Sequence, residues 1–381
     1  ARLNVLNSDD LGDNYHELVG DINGDGLNDL IWMYSGGNGL KAYTSLNNGD
    51  GTFQTAVPDK VHSKDRGDNY HERVADINGD GLADLIWMYS GKNGLKAYTS
   101  INKGNGSFED AQKQTLNSGD RGDNYHERVA DVNGDGLVDL IWMYSGKNGL
   151  KAYTSINNGN GSFATAIKHK VHSGDRGDNY HEFIGDVDGD GLVDLVWMYS
   201  GSNGLKAYTS INNGDGSFED AEKHHVHTDD RGDNYHERLS DVNGDGLVDL
   251  VWMYSGIHGL KVYASMNNGD GSFEDAKLSQ VNSGERGDNY EYLVGDVNGD
   301  GKQDLIWMYS GTWGLTTYAS MGRGDGTFIE SDRYVLNSGS RSTNYSRFLE
   351  DINGDGALDL LWMYSGGKGL IGYSSLNTYS N

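Results

Sequence analysis

The chain has 381 residues, a formal charge of −27, 57 glycines, a single proline (Pro58) and no cysteine. So acidic a chain is a poor partner for nucleic acid or an anionic membrane surface, and the absence of cysteine excludes disulfides and thiol chemistry. No run approaches the ~20 apolar residues of a membrane helix, so no membrane insertion is expected; the amino terminus shows no signal-peptide core, any such peptide having been removed or never present, and an extracellular or secreted location is expected.

From the amino terminus, the first predicted element is a short strand within residues 2–8, Arg-Leu-Asn-Val-Leu-Asn-Ser. An acidic loop, Asp-x-Asn/Asp-Gly-Asp-Gly, then begins at Asp21 and recurs at Asp76, Asp131, Asp186, Asp241, Asp296 and Asp351, every 55 residues. A segment Trp-Met-Tyr-Ser-Gly follows each loop, starting at Trp32, Trp87, Trp142, Trp197, Trp252, Trp307 and Trp362. A fixed period without linkers identifies one repeat array, so residues 1–381 are expected to form a single domain.

One copy, residues 68–118, predicts four strands. Arg73-Val74-Ala75 leads into the acidic loop, and Leu82 to Tyr89 is a near-continuous apolar run, as in a strand covered on both faces. The tight turn Gly91-Lys92-Asn93-Gly94 precedes the alternating Leu95-Lys96-Ala97-Tyr98-Thr99-Ser100. A second turn, Asn102 to Gly106, leads through Ser107-Phe108 to a weaker outer strand ending near Leu116. Copy seven stops before its outer strand, while residues 2–8 align by period with the outer strand Arg333–Ser338. The expected fold is therefore all-β: a seven-bladed β-propeller of four-stranded blades, closed by the amino-terminal strand completing the last blade.

Each loop sets oxygen donors at its positions 1, 3, 5 and 9, the spacing of a Ca²⁺ loop, with glycines allowing the sharp turn. The expected ligands are Asp21, Asn23, Asp25 and Asp29; Asp76, Asn78, Asp80 and Asp84; Asp131, Asn133, Asp135 and Asp139; and Asp186, Asp188, Asp190 and Asp194. The remaining sets are Asp241, Asn243, Asp245 and Asp249; Asp296, Asn298, Asp300 and Asp304; and Asp351, Asn353, Asp355 and Asp359. Position 12 is Trp32 in the first loop, and a strand follows, so this is no EF-hand. About seven structural Ca²⁺ per chain are expected; seven would bring the formal charge to −13, so most of the excess acid is accounted for as ligand.

The acidic loop, the apolar strand and the later Asn-Gly-Asp-Gly-Thr/Ser-Phe turn together resemble the FG-GAP or VCBS repeat of integrin α-subunit propellers. Over essentially the full chain, the pattern is similar to the seven-bladed fungal lectin propellers of the Psathyrella velutina lectin type. That resemblance implies calcium and a propeller; where those repeats carry Phe-Gly, this chain carries Trp-Met-Tyr-Ser-Gly.

In a four-stranded meander the first and third connections lie at one end, so the second connection and the link between blades lie at the other. That second end carries Asp-Asn-Tyr-His-Glu, expected on the inter-blade loop, and the lysine after the tight turn. His-Glu occurs in copies one to five and becomes Glu291-Tyr292 and Ser346-Arg347 in copies six and seven; the lysine becomes Thr316 and Ile371 in the same two copies. Joint loss points to a repeated site, and carboxylate, imidazole and ammonium around tyrosine suit a sugar. The candidate sets are Asp13, Tyr15, His16, Glu17 and Lys41; Asp68, Tyr70, His71, Glu72 and Lys96; Asp123, Tyr125, His126, Glu127 and Lys151; Asp178, Tyr180, His181, Glu182 and Lys206; and Asp233, Tyr235, His236, Glu237 and Lys261. The expectation is a multivalent, non-enzymatic lectin with about five sites, binding glycans or glycoconjugates, including those of cell-surface glycoproteins. The alternatives are cell adhesion through Arg-Gly-Asp at Arg66, Arg121, Arg176, Arg231 and Arg286, and a propeller polysaccharide lyase using His and Tyr.

Overall fold

Behind each acidic loop the run Asp-Leu-Ile/Val/Leu-Trp-Met-Tyr is too apolar on both faces for a surface strand, and it becomes the second strand of a four-stranded antiparallel sheet. The computed structural model describes residues 1–9, 15–37, 39–62, 70–119, 125–174, 180–229, 231, 235–287, 289–342 and 344–378. Among these, the first sheet holds β2 (His16–Gly20), β3 (Asp29–Tyr34), β4 (Leu40–Ser45) and β5 (Val57–His62) in that order, after β1 (Arg2–Asn7). The second holds β6 (His71–Ala75), β7 (Asp84–Tyr89), β8 (Leu95–Ser100) and β9 (Gln112–Asn117); the third β10 (His126–Ala130), β11 (Asp139–Tyr144), β12 (Leu150–Ser155) and β13 (Ile167–His172). The fourth holds β14 (His181–Gly185), β15 (Asp194–Tyr199), β16 (Leu205–Ser210) and β17 (Glu222–His227); the fifth β18 (Tyr235–Ser240), β19 (Asp249–Tyr254), β20 (Leu260–Ser265) and β21 (Lys277–Asn282). The sixth holds β22 (Tyr290–Gly295), β23 (Asp304–Gly311), β24 (Gly314–Ser320) and β25 (Asp332–Asn337).

The seventh sheet runs β26 (Ser346–Glu350), β27 (Asp359–Tyr364), β28 (Leu370–Ser375) and then β1. Leu3 faces Tyr373 and Val5 faces Ile371, with an irregularity after Val5 like the one near the end of β9, β17 and β21 against their partners. β1 also does an outer strand's work toward its neighbour: Ala56 N–H donates to the Leu6 carbonyl at 3.0 Å, as Ala111 does to Val61 at 2.9 Å. The fold is thus a seven-bladed β-propeller whose last blade is completed by the amino-terminal strand.

By contacts the chain groups into two units. In the first, Ala1–Tyr144, Ala152–His169 and Tyr345–Asn377, the core between blades one and two packs Ile31, Met33, Leu40 and Ala42 against Leu85, Trp87 and Tyr98. Leu6 of β1 belongs to a cluster with Trp32, Leu361 and Met363. In the second, built mainly on Lys170–Asn344, Val196, Met198, Leu205 and Ala207 meet Leu250, Trp252 and Tyr263. Each repeat tryptophan is fully buried. Trp87 donates its indole N–H to the Tyr34 carbonyl of the preceding blade at 3.2 Å, so truncating one would cost about 3–5 kcal/mol.

The tight turn between the second and third strands requires glycine. Gly94 has φ +84°, and a β-carbon there would lie 2.2 Å from the Asn117 carbonyl oxygen. Among the described residues no helix is long and apolar enough to cross a membrane. One expectation needs correcting: the first strand of blade two begins at His71 and includes Glu72, so His-Glu is strand and not loop.

Candidate ligand-binding site

At the acidic-loop end of each blade, short side chains fold the loop onto itself. Asp21 Oδ1 accepts the Gly24 N–H at 2.7 Å and Oδ2 accepts Gly26 at 2.8 Å, while Asn23 Oδ1 accepts Asp25 N–H at 2.9 Å. Asp29 is fully buried; its oxygens accept Ile22 N–H at 3.0 Å and Asn47 N–H at 2.7 Å, tying the loop to the turn between the third and fourth strands. Burial first, and then the charges of Asp25 and Asp21, push the Asp29 carboxyl up to about 6. The same causes hold Asp84, Asp139, Asp249 and Asp359 at about 6 and Asp194 at about 7, with Asp304 raised as well. In the fourth loop, oxygens of Asp186, Asp188 and Asp194 converge within 4.8 Å of one another. All these donors are hard oxygens, and their mutual repulsion fits a divalent cation.

The other end of the blade carries aromatic and basic groups. Tyr15 at the head of β2, Tyr34 at the end of β3 and Tyr43 on β4 form a cage: Tyr15 lies 5.5 Å from Tyr34 and 5.7 Å from Tyr43. Lys41 faces Tyr34 across the strands, and its Nζ stands 4.8, 5.0 and 5.8 Å from the centroids of Tyr15, Tyr34 and Tyr43. Lys96 is held at 5.1 and 4.3 Å from Tyr70 and Tyr89, Lys206 at 5.1 and 4.6 Å from Tyr180 and Tyr199. Lys261 stands 5.2 and 5.1 Å from Tyr235 and Tyr254. In blade three Tyr125 packs on Tyr144 and Tyr153, and Lys151 is buried. Cation–π attraction compensates these ammonium groups for lost hydration.

His and Glu of one copy are neighbours on a strand, so they face opposite sides. The structure does not bring them together; each pairs with an adjacent blade. His16 Nδ1 meets Glu72, His71 meets Glu127 and His181 meets Glu237. The glutamates Glu72, Glu127, Glu182 and Glu237 are buried, and Glu17 is half-buried. Glu127 also accepts the Ser90 hydroxyl at 2.9 Å and Glu237 that of Ser200 at 2.6 Å, while Glu17 accepts Ser346 at 2.9 Å and Ser365 at 2.7 Å. The hydrogen bond to glutamate raises His16 and His181 above the usual imidazole value. Blade six has Tyr292 in place of the glutamate, its ring 5.2 Å from His236, and burial lowers that histidine. His126 is exposed on β10. Asp13, Asp68, Asp123, Asp178 and Asp233 lie outside the described residues, as do Arg66, Arg121 and Arg176; Arg231 and Arg286 are exposed.

Sequence reasoning missed an opening in blade four. A pocket of about 400 Å³ is lined by Ser202 and Asn203 of the tight turn, Lys206, Lys223, His225, Thr228 and Arg231, with no acidic group among these described residues. The signal was available: Lys223 and His225 are two apart on β17, hence on one face, and His225 pairs directly with Lys206.

Residues 21–87, 76–142, 131–197, 241–307 and 296–362 match the FG-GAP-like repeat family. The chain belongs to that family. No curated protein sequence matches this FG-GAP-like repeat protein. Among solved structures it is similar to an Agrocybe aegerita lectin described as specifically recognising non-reducing terminal N-acetylglucosamine, at 26% identity and a TM-score of 0.66, over 96% of this chain and 86% of that one. It is also similar to a Photorhabdus luminescens Tc holotoxin pore (17% identity, TM-score 0.48, 92% of this chain and 17% of that one). A Bacillus licheniformis rhamnogalacturonan lyase matches at 12% identity and a TM-score of 0.47, over 94% of this chain and 71% of that one.

Proposed function

We propose that this chain is a calcium-stabilised, multivalent lectin without enzymatic activity, binding glycans at the lysine end of its blades. The observation that carries the reading is the likeness, over nearly the whole chain, to an N-acetylglucosamine-recognising lectin. The pocket of blade four supports it, because hydroxyl, amide and ammonium donors meet there beside tyrosine-packed lysine, a mixture that suits sugar hydroxyls and an acetamido group. In this reading Lys41, Lys96, Lys151, Lys206 and Lys261 mark about five sites; the caged tyrosines and buried glutamates fix the lysines and the strands, and the histidines line the same end. Repetition on one rigid scaffold raises avidity by roughly 10²–10⁴. At the opposite end, the seven acidic loops are proposed to hold structural Ca²⁺, with Asp186, Asp188 and Asp194 the tightest convergence of carboxylates. Such a protein would act outside the cell on glycoconjugates, cell-surface glycoproteins among them.

The test is a glycan array with calorimetry on the parent and on the chain with all five lysines changed to Ala. The parent should bind terminal N-acetylglucosamine with about five sites per chain, and the variant should lose agglutination. Unchanged glycan binding by the fivefold variant would overturn the placement of the sites, and no binding by the parent to any glycan would overturn the lectin reading.

A further inference from the structure

Blade six keeps the tyrosine cage and lacks its cation. Tyr290 lies 5.2 Å from Tyr309 at 39° and 5.7 Å from Tyr318 at 75°. The corresponding rings around Lys206, Tyr180 with Tyr199 and Tyr208, stand at 5.3 Å and 44°, and 5.8 Å and 69°. The residue facing Tyr309 across the strands, where the lysine stands in blades one, two, four and five, is Thr316. Its side chain is too short to reach the ring centres, and its buried hydroxyl has no hydrogen-bond partner among the described residues.

Two further features stand beside this cage: a tryptophan found in no sibling, and a carboxylate at a position that is Asp10, Asp65, Asp120, Asp175 and Asp230 in blades one to five. The tight turn carries Trp313, 51% exposed, with its ring 5.6 Å from Tyr309. The half-buried Glu285 accepts the Tyr318 hydroxyl and pairs with no lysine or arginine among the described residues. Burial and then Glu285 push the Tyr318 phenol up to about 12 against the opposing charge of Arg333, its cross-strand partner, so the phenol stays neutral and the one negative charge among these groups is the carboxylate. Blade seven provides the contrast: Ile371 fills the lysine's place with an apolar side chain, and Lys368 stands where blade six has Trp313.

We infer that blade six binds an organic ammonium ion, the amine of an amino sugar or a methylated ammonium group, in the cage of Tyr290, Tyr309, Tyr318 and Trp313 beside Glu285. Ring faces attract a cation through their quadrupole, and a neighbouring carboxylate adds direct charge attraction in a partly desolvated site. Blades one, two, four and five carry the same chemistry with their own lysine as the bound cation. The inference stands apart from the lectin reading, because a simple ammonium salt tests it without any glycan.

Trp313 supplies the readout, being the one exposed indole among eight tryptophans whose other seven are fully buried. The full chain is titrated with tetramethylammonium chloride and with glucosamine hydrochloride, against sodium chloride at equal ionic strength and against N-acetylglucosamine, which has no charge. A saturable fluorescence change with at least one of the ammonium salts, absent with both controls, is expected; which salt acts separates a methylated ammonium source from an amino sugar. Thr316→Lys supplies the missing cation and should weaken binding at least tenfold, as should Glu285→Gln. Should Thr316→Lys melt well below the parent, Trp313→Ala, on an exposed turn and read by calorimetry, carries the same expectation. The inference is overturned if neither ammonium salt gives a saturable response, or if the folded Thr316→Lys or Trp313→Ala chain binds as tightly as the parent.

Discussion

Glu127 offers a direct test of whether the His-Glu pairs hold blades together. Its side chain is buried, one oxygen accepts His71 and the other the Ser90 hydroxyl at 2.9 Å, while its carbonyl accepts Arg73 Nη2 at 2.6 Å. Glu127→Ala leaves two donors from blade two facing a void. Removing one partner of a buried pair costs about 3–5 kcal/mol, and the lower end applies because His71 is 44% exposed and regains water. For a domain this large, about 3 kcal/mol corresponds to a fall in Tm of roughly 4 °C. Glu127→Gln, which keeps the volume and can still bond both partners, should lose about half as much. Thermal melts followed by circular dichroism, with a double-mutant cycle against His71→Ala, measure the coupling. If Glu127→Ala melts with the parent, or the two truncations are strictly additive, the pair is not a latch and the argument from burial fails.

Three further outcomes are expected. Chelation should lower Tm markedly through loss of ligand-linked stability, and Ca²⁺ affinity should fall as pH drops through about 6 to 7, where the buried aspartates take up protons in the metal-free protein; a melting curve indifferent to EDTA, or calcium affinity flat across that range in calorimetry, would count against metal in the loops. His16 and His181 have raised folded values, so their stabilisation is fully present below the unfolded value of 6.5 and is lost as pH rises through the folded values; the alkaline fall in Tm should therefore shrink in His16→Gln with His181→Gln, and an identical pH profile would refute it. Deleting residues 1–8 should strip the last blade of its outer strand and cause aggregation, unless a monomeric truncation with the parent Tm shows the strand to be dispensable.

The fold was readable because the signals repeat. One Trp-Met-Tyr strand is ambiguous, whereas seven at a fixed spacing define a blade, and the match between residues 2–8 and the outer strands foretold the pairing of β1 with β28. The site was less readable for two physical reasons. His71 and Glu72 were placed on a loop, where both could face one ligand; as strand residues they face opposite neighbours, and their partners lie 56 positions away in adjacent copies. The shared loss of His, Glu and Lys in copies six and seven therefore mixes two causes, a pairing between blades and a filled aromatic cage. The pocket of blade four escaped because His225 is peculiar to one copy, although Lys223 recurs as Lys113 and Lys168 in blades two and three, and reading by period favours what recurs.

The pairing of β1 with β28 also sets an order of events during synthesis. Leu3 meets Tyr373, so β1 is made before the other strands described here and finds its partner only in the last of them. At roughly 5–20 residues per second, a ribosome takes on the order of 20–75 s to make the chain between them. Throughout that interval Leu3 and Val5, about half exposed even in the finished fold, stand on an unsatisfied strand while blade after blade assembles behind it. Nascent chains on one message therefore carry unpaired β1 strands and incomplete blades close together, and the hazard is exchange of β1 between neighbouring chains, which lessens only when each chain's own seventh blade emerges.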